Sequence, residues 1–172
     1  MSKELKRDPA KVLILKEQVK AAFAEVPYPG DGNIVQGSSL EAKEIESFFR
    51  GKRWEEITLE NLNSNPPMDP SAGPSFMTEQ AFHYYLPAYL MITIDSKPEA
   101  DVIPEFTVHR LSIPEIAEAE RSWYQSRVVR FTRAQRRAVK AVLEYVRDTY
   151  QGLPGGDLYS PTLSTIQYWS DD

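Results

Sequence analysis

At 172 residues the chain has the length of one ordinary domain, and a chain of this size buries roughly 70% of the surface that its unfolded form exposes. The absence of cysteine excludes disulfides, thiolate metal sites and thiol nucleophiles, and it favours a reducing compartment, for which the cytoplasm is the default expectation. The net charge of −5 favours solubility and disfavours non-specific binding to nucleic acid.

The first predicted helix covers about residues 9–26. Asp8 is placed to cap it, a proline suits its first turn, and its apolar residues recur with a spacing of three and four. The apolar run at residues 12–15 is far too short for a signal peptide or a membrane span, so we expect neither export nor membrane insertion. The prolines and glycines of residues 27–37 then require a loop.

A second helix is predicted for residues 40–50, with a serine before it as the cap and Gly51 as the stop. A short third helix is predicted near residues 58–63. Residues 65–75 contain four prolines, which favour an extended or turning chain. We therefore expect an exposed surface loop between the third helix and the centre of the sequence.

Residues 76–95 carry the clearest local signals. Thr78 is a good N-cap, and Met77 and Phe82 have the spacing of a hydrophobic staple around it. Apolar residues occupy most of the circumference of the helix that follows, which predicts a central helix that is buried on several sides. Pro87 removes an amide donor from the middle of this helix, so we expect the helix either to kink or to break and restart there.

The next segment gives weaker signals. Residues 96–111 are predicted to be irregular, with a short strand at residues 106–111. Ser112 and Glu115 have the spacing of a capping box, which would open a helix that extends to about Val129.

A second capping box, formed by Thr132 and Gln135, opens the most regular helix of the chain at residues 133–150. Ser160 followed by a proline is placed to cap a short terminal helix. Together these elements predict a mainly α fold: a single domain over residues 1–172, built as a compact bundle of about five to seven helices around a Pro-bent central helix, with room for one or two short strands.

The sequence lacks the motifs of the common metal, nucleotide and hydrolase sites. His83 and His109 are 26 positions apart and do not form a zinc-binding pair. The glycine-rich turns lack the lysine and the hydroxyl residue of a phosphate-binding loop. We therefore expect no metal and no cofactor, and we lean against an enzyme without excluding one.

A basic stripe is the first candidate binding surface. Its members follow one another at spacings of three and four, which would allow several of them to track a phosphate backbone. The favoured alternative is a solvated or ion-paired helix face, because the rest of the chain is acidic and would repel nucleic acid. The stripe consists of Arg127, Arg130, Arg133, Arg136, Arg137 and Lys140.

A pocket at the Pro87 bend is the second candidate. His83 is a candidate general base there, and the tyrosines around it offer apolar bodies with polar tips. A histidine that is paired with a nearby carbonyl and tyrosines that pack in the core are the commoner outcomes for such residues. The candidate pocket consists of Glu79, His83, Tyr84, Tyr85 and Tyr89.

Residues 76–90 (FMTEQAFHYYLPAYL) resemble a phrase, F-x-T-x-x-A-F-x-Y-Y-L-P-A-Y-L, of a family of uncharacterised bacterial proteins. Residues 51–54 (GKRW) and 131–136 (FTRAQR) are similar to further parts of the same family, so the resemblance extends over about residues 40–150. The resemblance implies no established activity. It implies a small cytoplasmic bacterial protein of a kind that is often accessory, or an immunity protein encoded beside a toxin.

Three functional hypotheses follow, in order of preference. The first is a non-catalytic protein-binding module, most concretely a bacterial immunity or antitoxin-type protein that blocks a basic toxin by contact; the small acidic chain and the proline-rich loops at residues 27–37 and 65–75 favour it. The second is a nucleic-acid-binding protein that uses the basic stripe. The third is a small enzyme with its pocket at the Pro87 bend. No membrane partner is expected.

Overall fold

The computed structural model describes residues 7–66, 68–95, 97–112, 128–151 and 161–170. These residues form eight α-helices and two short 3₁₀ turns, Trp54–Glu56 and Pro98–Ala100, and they contain no strand. The mainly helical bundle predicted from the sequence is therefore confirmed. The helices are α1 (Pro9–Phe23), α2 (Leu40–Phe49), α3 (Leu59–Asn63), α4 (Gly73–Phe76), α5 (Glu79–Asp95), α6 (Ile103–Leu111), α7 (Arg133–Tyr150) and α8 (Leu163–Tyr168).

Helix α5 is the central element of the fold. Twelve of its seventeen residues are buried, and it packs against α1, α6, α7 and the Trp54–Glu56 turn. This confirms the prediction of a central helix that is buried on several sides. The helix continues through Pro87, so the predicted break does not occur. Proline has no amide hydrogen, so one internal hydrogen bond of the helix is missing at this point. Packing against the neighbouring helices keeps the chain helical there.

The predicted caps explain where the long helices begin. The carboxylate of Asp8 accepts hydrogen bonds from the amides of Ala10 and Lys11 at the start of α1. The Thr132 hydroxyl accepts from the Gln135 amide, and the Gln135 side chain accepts from the Thr132 amide, so the second capping box is confirmed. Helix α7 has the predicted bounds, whereas α1 ends three residues earlier than predicted.

The predicted strand at residues 106–111 is wrong, because these residues belong to α6. The β-branched and aromatic side chains suggested a strand, but a proline in the first turn and a buried face with helical spacing favour the helix. That face consists of Ile103, Pro104, Thr107, Val108 and Leu111. Ser112 caps the C-terminal end of α6, and its hydroxyl donates to the Val108 carbonyl. The sequence predicted that a further helix begins at Ser112, but residues 113–127 lie outside the described residues.

The predicted exposed loop at residues 65–75 is also partly wrong. Met68, Ser71, Gly73 and Pro74 are buried, and the last two begin the short helix α4. The loop at residues 27–37 is exposed over most of its length, but it is attached to the start of α5: the Thr78 amide donates to the Ile34 carbonyl at 3.0 Å.

The terminal helix exists, but its cap differs from the prediction. Thr162 caps α8 by accepting from the Thr165 amide, and Ser160 lies outside the described residues. The indole of Trp169 is buried and donates to the Leu111 carbonyl at 2.9 Å. This hydrogen bond attaches the C-terminal helix to α6.

Candidate functional site

The residues of the candidate pocket do not surround one cavity. Glu79 and His83 face the start of α7, where Glu79 pairs with Arg130 at 3.2 Å. Tyr85 faces the C-terminal end of α2, where its hydroxyl lies 2.9 Å from the carbonyls of Phe49 and Lys52. Helix α5 thus distributes these side chains over different faces: Glu79 and His83 face the start of α7, and Tyr85 faces the end of α2.

His83 is part of a structural hydrogen-bond network. Its Nε2 lies 2.8 Å from Oε1 of Gln135, and its ring packs between those of Phe23 and Phe131. The Gln135 amide nitrogen donates to the Ala22 carbonyl, so its oxygen is the acceptor and His83 Nε2 carries the hydrogen. Burial lowers the pKa of His83, the hydrogen bond to Gln135 opposes this shift, and Arg130 adds to it.

The three tyrosines of the candidate pocket are buried. Burial raises the pKa of Tyr85 well above its ordinary range, so its phenol stays protonated and available as a donor to the α2 carbonyls. The Tyr84 ring packs edge-on against Tyr28 with the centroids 5.5 Å apart. Tyr89 is fully enclosed beside Gly73. These side chains fill the core, as buried tyrosines commonly do.

The basic stripe is partly neutralised by acidic neighbours. Arg130 pairs with Glu79, and Lys140 lies 4.0 Å from Glu144 one turn further along α7. Arg133 and Arg137 are exposed. Arg136 is half-buried and Arg127 lies outside the described residues, so the placed members of the stripe have the partly ion-paired character that sequence reasoning favoured. Nucleic-acid binding by the stripe remains a prediction.

A cleft of about 430 Å³, here called the α5 cleft, lies on another side of the central helix. Ala88, Met91 and Ile92 of α5 supply its apolar floor. Residues of α1 form one wall of the cleft, and residues 54–60, which begin with the Trp54–Glu56 turn, form the other; α5 packs against both α1 and this turn.

The walls carry opposite charges. Lys16 and Lys20 of α1 line one wall, and Glu55 and Glu60 line the other. Lys16 also forms an ion pair with Asp95 at the end of α5. Three further apolar side chains of the second wall, Trp54, Ile57 and Leu59, deepen the cleft. The cleft therefore combines an apolar interior with a rim of both charge signs.

Sequence reasoning did not predict the α5 cleft. Met91 and Ile92 lie within an apolar sequence, which predicts that they are buried in the helix interface. No local sequence pattern indicates which side of that helix α1 leaves uncovered. The one available signal was the pair Lys16 and Lys20, which are four residues apart and therefore lie on the same side of the first helix. The opposite wall comes from a segment more than thirty residues away, so only the tertiary packing brings the two together.

Within the described ranges, no three histidine or acidic side chains are grouped so that they would hold a metal ion. No helix in that part of the chain combines the length and the apolar character that crossing a bilayer requires.

Comparison with known proteins identifies one family. The profile of a family of unknown function (DUF6714) matches residues 14–172. The chain belongs to this family. The expectation of an uncharacterised family is thus confirmed, and no curated protein and no solved structure matches the sequence.

The family match includes the whole α5 cleft. Its lining residues run from Lys16 to Lys97 in the sequence, so both walls and the floor lie inside the matched range. The capping residue Asp8 and the exposed Leu13 precede that range.

Proposed function

We propose that this chain is a non-catalytic protein-binding module that contacts its partner through the α5 cleft. The observation that carries the proposal is the combination of an apolar floor with a rim of lysines and carboxylates. Protein interfaces have the same organisation, with an apolar centre that accepts anchor side chains and a polar rim that sets specificity.

The roles of the candidate catalytic side chains favour binding over catalysis. The Nε2–H group of His83 is hydrogen-bonded to Gln135, and the hydroxyl of Tyr85 is hydrogen-bonded to the end of α2. Both groups connect helices of the bundle. A general acid or base has to reach a substrate proton instead, so these contacts support a structural use of both residues.

The outer face of α1 extends the proposed contact surface. Leu13 and Ile14 are 62% and 66% exposed, although α1 already buries another apolar face against the core. Leu13 precedes Lys16 by three residues and therefore lies on the same side of the helix, next to the cleft. A partner that sits over the cleft would cover Leu13 as well.

In its most concrete form, the proposal is a cytoplasmic bacterial immunity or antitoxin-type protein that neutralises a basic toxin by contact. The small size of the chain and its net charge of −5 support this form, because an acidic protein attracts a basic partner over long range. Co-expression with the product of a neighbouring gene tests it. Rescue of growth by the chain is the expected result, and unchanged toxicity would contradict this form of the proposal.

Site-specific photo-crosslinking tests the binding module itself. Benzoylphenylalanine at position 60 places the reactive group on the cleft rim, and the same residue at position 41 places it on the exposed side of α2 as a matched control. In the native cell, position 60 should give one stoichiometric protein adduct and position 41 none. The absence of an adduct, or equal adducts at both positions, would overturn the proposal.

A further inference from the structure

The floor of the α5 cleft is a short strip along one helix. Ala88, Met91, Ile92 and Asp95 line the cleft and are separated by three, one and three residues, which is the spacing of one helix face. The strip from residue 88 to residue 95 is about 10 Å long, or two helical turns. Met91 is the half-buried member of this strip, whereas Ala88 and Ile92 are buried.

The charges that line the cleft are balanced in number. Its three lysines, Lys16, Lys20 and Lys97, equal its three carboxylates, Glu55, Glu60 and Asp95, so the lining has no excess charge. Lys16 is paired with Asp95, and Lys20 is paired with Glu17 in an ion pair whose side chains are both more than half exposed. Exposed pairs of the second kind contribute little, so Lys20 is available to a partner at small cost.

We propose that the occupant of the α5 cleft is an amphipathic helical segment of a partner protein, with acidic residues along one flank and basic residues along the other. This inference rests on the proposed function and adds the chemistry of the partner. The apolar stripe of the segment contacts Met91 and Ile92, its acidic flank faces Lys16 and Lys20, and its basic flank faces Glu55 and Glu60.

A helix fits this pattern because it presents three sets of side chains toward one surface: a central stripe and two flanks. An extended segment presents alternate side chains to two opposite faces, so it does not direct an apolar row and two charged rows toward the same cleft. The opposite charges of the two walls also fix the direction of the bound helix. Reversal of the helix would place like charges against each other.

Three synthetic peptides test the charge pattern. All three are constrained as helices by the same side-chain staple and carry the same leucine stripe. The mixed peptide has glutamate on one flank and lysine on the other. The all-glutamate peptide has glutamate on both flanks, and the all-lysine peptide has lysine on both. In fluorescence anisotropy at low salt, the mixed peptide should bind about three- to tenfold more tightly than either other peptide, which is the effect of one or two exposed charge pairs.

Charge reversals in the protein identify the walls. Lys20→Glu should weaken the preference for the mixed peptide over the all-lysine peptide, and Glu60→Lys should weaken its preference over the all-glutamate peptide, because each reversal leaves one charge of each sign on its wall. Both side chains are exposed, and circular dichroism confirms that the variants are folded. Lys43→Glu and Glu41→Lys on the exposed side of α2 are matched controls, and they should leave the preference for the mixed peptide unchanged.

Several results would overturn the inference. One is equal binding of the three peptides, and another is a preference that the wall variants do not change. Equal affinity for a proline-containing, non-helical version of the peptide would exclude a helical occupant. Binding of laurate, with no binding of any peptide, would assign the cleft to a small amphiphile.

The crosslinking and peptide experiments can fail separately. A crosslink at position 60, with no binding of the peptides, would overturn this inference and leave the proposed function standing. Binding of the mixed peptide, with no crosslink in the cell, would contradict the proposed function alone.

Discussion

The hydroxyl of Tyr89 is a polar group enclosed in the core without a hydrogen-bond partner among the described residues. Burial raises its pKa well above the ordinary range, with a smaller effect from Asp69, so the group stays neutral. Tyr89→Phe removes the unsatisfied hydroxyl and keeps the ring. We expect this variant to raise the free energy of unfolding by about 1 kcal/mol in urea denaturation. A loss of stability would show that the hydroxyl has a partner.

Gly73 lies against the same hydroxyl. A methyl group at this position would collide with the Tyr89 oxygen and would also press on the Phe49 ring at 3.2 Å. Gly73→Ala should therefore lower the free energy of unfolding by about 1–3 kcal/mol, which is the range for overpacked cores. In the Tyr89→Phe background the loss should be smaller, because the closest atom is gone. Equal losses in both backgrounds would mean that the glycine is required for another reason.

The stability of the protein should depend on the protonation of His83. Burial lowers the pKa of His83 in the folded state below its ordinary value of 6.5. The unfolded chain therefore binds more protons as the pH falls through about 6.5, and stability is lost on acidification until the folded pKa is reached. His83→Gln keeps a donor for Gln135 but removes this titration.

Urea denaturation at about pH 7.5 and 5.5 checks this expectation. The wild type should lose more stability between the two pH values than the His83→Gln variant. The variant His109→Gln is the matched control, because it also removes one histidine, but an exposed one. An equal loss in the wild type and His83→Gln would show that His83 does not titrate differently in the folded and unfolded states.

At the scale of whole elements, Gln135 connects three helices. Its side chain caps α7 through the Thr132 amide, accepts from His83 of α5 and donates to the Ala22 carbonyl of α1. Gln135→Ala should lower the free energy of unfolding by about 2–4 kcal/mol, because it leaves several partly buried groups unpaired. Asn61→Ala in the exposed capping box of α3 should lower it by about 1 kcal/mol. Similar losses at both positions in urea denaturation would contradict the role of Gln135 as a connector.

The helices that the sequence predicted correctly have local causes. Asp8, Ser39 and Thr132 each accept amide hydrogens at the start of a helix, so the signal and its structural effect lie within four residues. Helix α6 was missed because its side chains favour a strand locally and its buried face becomes favourable only against α5 and α4. Tertiary packing decided its conformation.

Tertiary packing is also the reason why the candidate site could be predicted only in part. The sequence indicated which residues have polar or titratable side chains, but not the direction in which each side chain projects from α5. His83 and Tyr85 are two residues apart and contact opposite partners, Gln135 and the end of α2. The α5 cleft depends on the position of α1 relative to the Trp54–Glu56 turn, which no local pattern encodes.

In the molecule as a whole, the α5 cleft and the basic stripe are the two candidate binding surfaces. The stripe is placed along α7 and is partly neutralised by Glu79 and Glu144, whereas the cleft combines apolar and charged groups between α1, α5 and residues 54–60. We expect a protein partner to bind the cleft more tightly than the stripe, because apolar contact at the centre of the cleft supplies affinity and the charges on its rim supply specificity.

Hydrogen–deuterium exchange of the purified chain, alone and with its crosslinked partner protein, distinguishes these surfaces most directly. Binding at the cleft predicts slower exchange in residues 54–60 and in the 88–95 part of α5, with residues 133–140 unchanged. Protection confined to residues 133–140, with no change around the cleft, would show that the partner binds the basic stripe and not the α5 cleft.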